Sequence, residues 1–149
     1  MPKRIDLHIH TNVSDGALTP KEVIDEAVKN NVSVIAISDH DTIDAYDDEL
    51  FLYAKSKNIQ LINAVEISTK IEKAGIHVLG YNFDMNDQNF RDSLYKLRNA
   101  RHIYLHDVAE KLNELGYYLD VDELDKIEEW KDIKCWAKAN PRYRNNKII

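Results

Sequence analysis

Hydrophobic and polar positions alternate at the start of the chain and then form longer apolar runs. Residues 4–10 alternate like a strand with one apolar face, and the run at 32–38 predicts a strand buried on both faces. Two further strands are predicted at 59–69 and 76–81, the last after a turn at 73–75. Because helical segments separate the early strands, the pattern predicts an α/β fold with a mostly parallel sheet.

The first helix is marked by its N-terminal residues. Thr19, Pro20 and Glu22 form the pattern of an N-cap, a first helical residue and a capping-box partner. The positions expected to form its buried stripe are Val23, Ala27 and Val28.

Two more helices follow from apolar residues spaced three and four apart. One is predicted over 42–57, with Ile43, Tyr46, Leu50 and Tyr53 facing inward. A long helix is predicted over 89–115 and ends at Gly116. Its apolar stripe consists of Phe90, Leu94, Leu97, Tyr104, Val108, Leu112 and Leu115. Arg101 also falls in this stripe, and a buried guanidinium needs an anion.

Composition narrows the class of protein. The 149 residues suit one domain, and 44% hydrophobic with 31% charged residues is typical of a globular chain. No apolar run reaches the roughly 18 residues of a membrane span, and the N-terminus lacks the apolar core of a signal peptide. A single cysteine, Cys135, cannot form an internal disulfide, so we expect a cytoplasmic protein without a membrane partner.

Charge is distributed unevenly along the chain. The net charge is −6, but residues 131–149 carry six Lys or Arg and one Asp, which leaves −11 on the first 130 residues. An acidic body makes a nucleic-acid partner unlikely on charge alone and suits carboxylates that bind metal ions. The basic segment is expected to be a solvated terminus, with phosphate contact as the alternative.

Imidazoles and carboxylates recur at or near the predicted strands. His8 and His10 leave the same face of the first strand, since side chains alternate. Asp15 follows in a turn that Gly16 permits. The later strands add Asp39, His40, Glu66 and His77. In parallel α/β folds the carboxyl edge of the sheet forms the site, so we expect these groups to converge there.

The donor types indicate divalent metal ions. Imidazole and carboxylate without thiolate suit Zn²⁺, Mn²⁺ or Fe²⁺, and more than four ligands imply two or three ions. Paired ions generate a hydroxide nucleophile at neutral pH, so no other catalytic residue is needed. Each residue alone has a structural alternative: Asp15 as a turn former, Asp39 and Asp41 as helix caps, Glu66 in a lysine pair, His77 in the core.

The segments DLHIHTNVSDG, SDHDT, VEIST and HVLGY, in this order, resemble the PHP (polymerase and histidinol phosphatase) family of metal-dependent phosphoesterases, nearest its nucleotide-phosphatase branch. The resemblance implies a distorted (β/α)7 barrel with a trinuclear site of nine ligands. It covers residues 4–116, so we expect a partial PHP domain at 1–116 and a short helix with a basic tail, an insertion or a truncated continuation, at 117–149.

By position, the resemblance also implies individual roles. His8 and His10 would bind a first ion, and Glu66 would bridge to a second ion held by His77. Asp15 and His40 would bind a third. Asp6 and Asp39 would orient the ligating imidazoles.

The resemblance offers a role for two arginines. The segment LRNAR at 97–101 resembles the helix with which nucleotide phosphatases of the family bind substrate phosphate. Arg98 and Arg101 are three residues apart, so both can face one ligand. A salt bridge to one of the many acidic residues is the equally weighted alternative.

The chain is short for this family. A complete (β/α) barrel takes about 250 residues, and the family's later histidine and Asp-x-His ligands have no counterpart after Leu115. We therefore expect the N-terminal part of a truncated barrel, which self-association or a partner chain would complete. The predicted function is hydrolysis of phosphomonoesters of nucleotides or similar small molecules by a metal-bridging hydroxide. The alternatives are a catalytically incomplete metal-binding or interaction protein and an exonuclease-type module acting on nucleic-acid ends.

Overall fold

The computed structural model describes residues 4–71 and 74–117, without the side chains at 71, 74, 101, 102 and 105. The described elements are β1 (Arg4–Ile9), α1 (Pro20–Lys29), β2 (Val32–Ile37), α2 (Asp48–Ser56), β3 (Gln60–Ile71), β4 (Ala74–Tyr81) and α3 (Gln88–Glu114). This is the predicted α/β order of strands and helices. The short helix predicted beyond Tyr117, and most of the segment 117–149, lie outside the described residues.

The four strands form one mixed sheet in the order β1-β2-β3-β4. β1 pairs with β2 and β2 with β3 in parallel, whereas β3 and β4 form an antiparallel hairpin. β3 is longer than predicted, because its first half pairs with β2 and its second half with β4. This double use of β3 positions the candidate site.

α1 confirms the predicted N-terminus. Thr19 accepts a hydrogen bond from the backbone of Glu22, and the Glu22 side chain accepts one from the backbone of Thr19. The predicted stripe is wrong at one position. Ile24 is fully buried and Val28 is exposed, because the buried face is formed by positions 23, 24 and 27 and Val28 lies beyond the edge of that face.

The predicted start of α2 is also wrong. The helix begins at Asp48 and not at 42, with Asp47 as the N-cap that accepts from the backbone of Leu50 at 2.6 Å. Asp41 has a left-handed φ of 53°, which interrupts any helix at that point. Neither Asp39 nor Asp41 therefore caps this helix, although Ile43 and Leu50 are buried as predicted.

The hydrophobic core has two parts. One lies among α1, α2 and the parallel strands and contains Val23, Ile24, Ala27, Ile35, Ile37, Ala45, Leu50, Ala54 and Ile59. The other is formed by Ile43, Val65 and Leu94, so it joins β3 to the first turns of α3.

The predicted packing of the apolar face of β1 holds only in part. Ile9 packs against the first core, whereas Ile5 is 60% and Leu7 is 38% exposed. Among the described residues β1 is the outer strand of the sheet and pairs on one side only. The expected self-association or partner chain stays a prediction.

α3 spans 27 residues and crosses a division of the chain into two compact units between Arg98 and Asn99. The first unit holds the sheet and the two core clusters. In the second, Val108 and Leu112 are half-buried whereas Tyr104 and Leu115 are exposed, so the predicted apolar stripe is only partly buried. Within the described part of the chain, no helix combines the length and apolar character needed to cross a membrane.

The hydroxyl of Tyr46 lies between β2 and β3, at the end of the region in which the two strands pair. This buried hydroxyl accepts hydrogen bonds from the N–H groups of Ile37 (3.1 Å) and Ala64 (2.9 Å). It donates to the carbonyl of Ile37 (2.5 Å) or of Ile62 (3.0 Å). Burial raises the pKa of this phenol, so it stays protonated. The hydroxyl thus replaces part of the ladder between the strands.

We predict that Tyr46→Phe destabilises the protein by about 2 kcal/mol, because buried backbone groups lose their partner. Urea unfolding measures the change. Tyr95→Phe is the control, since Tyr95 is 72% exposed on α3, and it should stay within about 0.5 kcal/mol. Equal stability of both variants would contradict the role given to the Tyr46 hydroxyl.

Candidate metal centre

Two imidazoles of β1 meet one carboxylate of β3. The Nε2 atoms of His8 and His10 lie 3.1 Å apart, and each lies within 3.0 Å of Glu66 Oε2. The alternation of β1 brings both rings to one face, as the sequence predicts. Glu66 has only 7% of its side chain exposed, whereas His8 has 50%.

Glu66 lies in the middle of β3, which continues to Ile71 and so passes the predicted end at residue 69. The parallel ladder with β2 reaches Asn63, and a separate bridge joins Glu66 to His40 farther on. The N–H of Glu66 donates to the carbonyl of Asp39 at 3.1 Å, and the N–H of Asp41 donates to the carbonyl of Glu66 at 2.9 Å. β3 then continues into the hairpin with β4.

A second group surrounds Asp15. Its Oδ1 atom lies 3.5 Å from His10 Nδ1 and 3.9 Å from His40 Nε2. The rings of His10 and His40 stack with centroids 4.7 Å apart. His10 therefore contacts both Glu66 and Asp15 through different nitrogens.

His77 joins the cluster from the antiparallel strand. Its Nδ1 atom lies 2.9 Å from Glu66 Oε1, the oxygen that His8 and His10 do not contact. Its ring meets that of His40 edge to face at 4.8 Å. His40 Nε2 lies 3.7 Å from Glu66 Oε2, so four imidazoles surround one carboxylate.

The six predicted ligands therefore come together. Three overlapping groups have donor atoms within 4.8 Å of one another: His8, His10 and Glu66; His10, Asp15 and His40; His40, Glu66 and His77. Their composition is the imidazole and carboxylate set that suits Zn²⁺, Mn²⁺ or Fe²⁺.

The electrostatics of the cluster favour the ligand forms. Burial lowers the pKa of the His40 imidazole against the opposing effect of Glu66 and Asp15. Burial raises the pKa of Glu66, but the hydrogen bond with His8 and the charges of His40, His8 and His10 together bring it below its ordinary value. Neutral imidazole and ionised carboxylate are the forms that bind a metal ion. Among the described residues, the buried Nδ1 of His10 has no hydrogen-bond partner, although it lies 3.5 Å from Asp15 Oδ1. A metal ion bound between these two atoms would satisfy this nitrogen.

The loop between β1 and α1 is held by Asp39, which is buried. Its carboxylate accepts from the backbone of Thr11 at 2.7 Å, from the Thr11 hydroxyl at 2.6 Å and from the Ser14 hydroxyl at 2.5 Å. Asp15 directly follows Ser14, so these hydrogen bonds fix the position of Asp15. The orienting of an imidazole by Asp39 stays a prediction, and the structure gives its carboxylate these loop contacts.

Gly16 allows the loop to close on β1. A Cβ atom at this position would lie 2.3 Å from the carbonyl oxygen of His10 and 2.8 Å from the carbonyl carbon of Thr11. The glycine is therefore needed for a close backbone approach.

The other predicted residues lie apart from these contacts. Asp6 is exposed and its carboxylate accepts from the backbone N–H of His8 at 3.3 Å, so its imidazole-orienting role stays a prediction. Arg98 forms an ion pair with Asp44 at 2.6 Å, which is the salt-bridge alternative. Arg101 belongs to α3, but its side chain lies outside the described residues and its phosphate role stays a prediction.

Sequence reasoning missed several supporting residues. Thr11, Ser14 and Tyr46 act through hydrogen bonds whose partners are 9 to 28 residues away. Local periodicity carries no signal for such partners. The one available hint is at Tyr46, whose side chain carries a hydroxyl at a position predicted to face inward.

An α/β sheet whose strands carry a cluster of imidazoles and carboxylates defines a class of metal-dependent hydrolases. A model of the PHP domain matches residues 6–145, and the chain belongs to the PHP domain family. This confirms the family resemblance of the four motifs. The boundary predicted at 116 stays a prediction.

Two of the curated relatives of the chain are an exoribonuclease and a phosphatase. The chain is 40% identical over 116 residues to a 5'-3' exoribonuclease from Haemophilus influenzae. The aligned region covers 78% of this chain and 42% of that protein. The chain is also 34% identical over 116 residues to a 3',5'-nucleoside bisphosphate phosphatase from Chromobacterium violaceum. That aligned region covers 78% of this chain and 38% of the phosphatase. The chain therefore spans about two fifths of the length of these relatives.

Solved structures show the same fold. An amidohydrolase from Chromobacterium violaceum, with bound sulfate, superimposes with a TM-score of 0.71 and 28% identity over 94% of this chain and 45% of that one. A putative metal-dependent phosphoesterase from Bifidobacterium adolescentis gives a TM-score of 0.69 and 26% identity with the same coverage. The predicted fold class, an α/β fold forming part of a PHP barrel, is confirmed.

We predict that Gly16→Ala destabilises the chain by about 1–3 kcal/mol, because the new methyl group forces the loop away from β1. Gly75→Ala is the matched control, since a Cβ atom there meets nothing within 4 Å. Thermal unfolding followed by circular dichroism compares the two variants. A Gly16 variant as stable as the Gly75 variant would contradict the close approach.

Proposed function

We propose that this chain carries ligands of a metal-dependent phosphoesterase that hydrolyses phosphomonoesters of nucleotides or similar small molecules. The convergence of four imidazoles on the Glu66 carboxylate, with Asp15 beside them, is the observation that carries the proposal. The relative that is a nucleoside bisphosphate phosphatase and the neighbouring structure with bound sulfate support a phosphate-type substrate.

The six candidate ligands can be assigned to three ions. His8 and His10 would hold one ion, His77 a second, and Asp15 and His40 a third, with Glu66 shared between the first and the second. Bound divalent ions supply Lewis acidity and lower the pKa of water, which gives a nucleophile at neutral pH. The overlap of the groups permits two or three ions but fixes neither the number nor the metal.

Arg98 is proposed to bind the substrate phosphate together with Arg101. The ion pair of Arg98 with Asp44 is half exposed, with 47% and 59% of the two side chains accessible. Such pairs contribute about 0–1 kcal/mol, so a phosphate dianion can replace Asp44 at little cost. Arg98 also contacts the Thr42 hydroxyl at 3.5 Å, two residues from His40.

We predict that Mn²⁺-loaded protein hydrolyses p-nitrophenyl phosphate or a nucleoside 3',5'-bisphosphate, and that chelation abolishes turnover. His8→Ala should lower kcat/KM by about a hundredfold or more, because it removes a ligand of the first group. Lys29→Ala, on the exposed side of α1, is the control and should leave the rate unchanged. Release of inorganic phosphate measures the reaction.

The outcomes separate a metal-dependent phosphoesterase from a catalytically incomplete protein. Phosphate release that persists after His8→Ala or after chelation would contradict the proposed mechanism. Ions bound without turnover would favour a catalytically incomplete metal-binding protein, the alternative that the short span of the match keeps open.

Exonucleolytic cleavage of RNA is the second candidate, favoured by the 40% identity to an exoribonuclease. The proposed phosphatase should release phosphate from a mononucleotide and leave the internal bonds of a 5'-phosphorylated RNA intact. A 3'-labelled oligonucleotide resolved by electrophoresis tests this. Stepwise release of mononucleotides, weakened by salt as electrostatic binding predicts, would establish the second candidate instead.

A further inference from the structure

Asp41 is a buried acid next to a candidate ligand and has no part in the chemistry proposed above. It is 2% exposed and follows His40 directly. Its φ of 53° lies in the left-handed region, which Asp and Asn adopt more readily than most residues. A buried carboxylate is costly unless it is hydrogen-bonded, so its partners indicate what it does.

The backbone of Asp41 belongs to the bridge between His40 and Glu66. Its N–H donates to the carbonyl of Glu66 at 2.9 Å, while the carbonyl of Asp39 accepts from Glu66 at 3.1 Å. In a parallel ladder the next hydrogen bond would run from the N–H of Ser68 to the carbonyl of Asp41.

The Asp41 side chain takes the place of that carbonyl. The left-handed turn directs the chain out of the sheet, and the N–H of Ser68 donates instead to Asp41 Oδ1 at 2.7 Å. The amide–carboxylate bond is charge-assisted, which makes it stronger than the ladder bond it replaces. It holds β3 two residues beyond Glu66 against the segment that carries His40.

We propose that Asp41 is a positioning residue of the metal centre, whose carboxylate fixes Glu66 relative to His40 by binding the N–H of Ser68. Glu66 belongs to two of the three ligand groups and His40 to two. A shift of Glu66 relative to His40 would therefore disturb all three ligand groups. This inference rests on the proposed use of metal ions.

Two variants at position 41 separate the carboxylate from the backbone conformation. Asp41→Gly keeps the left-handed φ at no steric cost but removes the acceptor. Asp41→Asn keeps both the conformation and an acceptor oxygen for Ser68. Asn58→Gly is the matched control, because Asn58 has a φ of 58° on an exposed position after α2.

Titration of the full 149-residue chains with Mn²⁺ by calorimetry gives the affinity, and the visible spectrum with Co²⁺ reports ligand geometry. We expect Asp41→Gly to bind Mn²⁺ at least tenfold more weakly, as is typical for residues that orient ligands, with an altered Co²⁺ spectrum. Asp41→Asn should stay within about threefold of the parent, and Asn58→Gly should match it.

Three results would overturn the inference: no Mn²⁺ binding by the parent, parental affinity in Asp41→Gly, or an equal loss in Asp41→Asn. Should the glycine variant not fold, hydrogen exchange decides. The Ser68 amide must exchange slowly in the parent and in Asp41→Asn, and fast exchange in the parent refutes its bond to Asp41. Because ion binding is measured, a chain that binds as expected but hydrolyses nothing contradicts the proposed function alone.

Discussion

The mutual position of Glu66 and the surrounding imidazoles is the constraint on which the site depends. The Nε2 atoms of His8 and His10 lie 3.1 Å apart and face the same carboxylate oxygen. A neutral imidazole carries one N–H group, so the three short contacts among these two nitrogens and the oxygen cannot all be hydrogen bonds. The backbone must therefore force them together, and the surrounding structure serves this requirement.

The sheet meets the requirement by using β3 twice. Its first half is fixed by parallel pairing with β2 and its second half by the hairpin with β4. The Tyr46 hydroxyl fills the place where β2 and β3 part, and the bridge at His40 rejoins them. The acids flanking His40 hold different neighbours: Asp39 binds the loop that carries Asp15, and Asp41 binds β3 beyond Glu66.

The sequence predicts the strands and the convergence of the six candidate ligands well, because both depend on local alternation and on residue type. The capping box of α1 is likewise local and is confirmed at Thr19 and Glu22. The start of α2 is not predictable from periodicity, since the left-handed Asp41 and the Asp47 cap override an apolar spacing that began at Ile43. The exposure of Ile5 and Leu7 depends on what covers β1, which no local pattern encodes.

The side chains of the cluster differ in their exposure to solvent. Glu66 lies at its base with 7% of its side chain exposed, and His40 is also largely covered at 14%. His8 and His77 contact opposite oxygens of Glu66 and are each 50% exposed. The centre is thus closed beneath Glu66 and open between these two imidazoles.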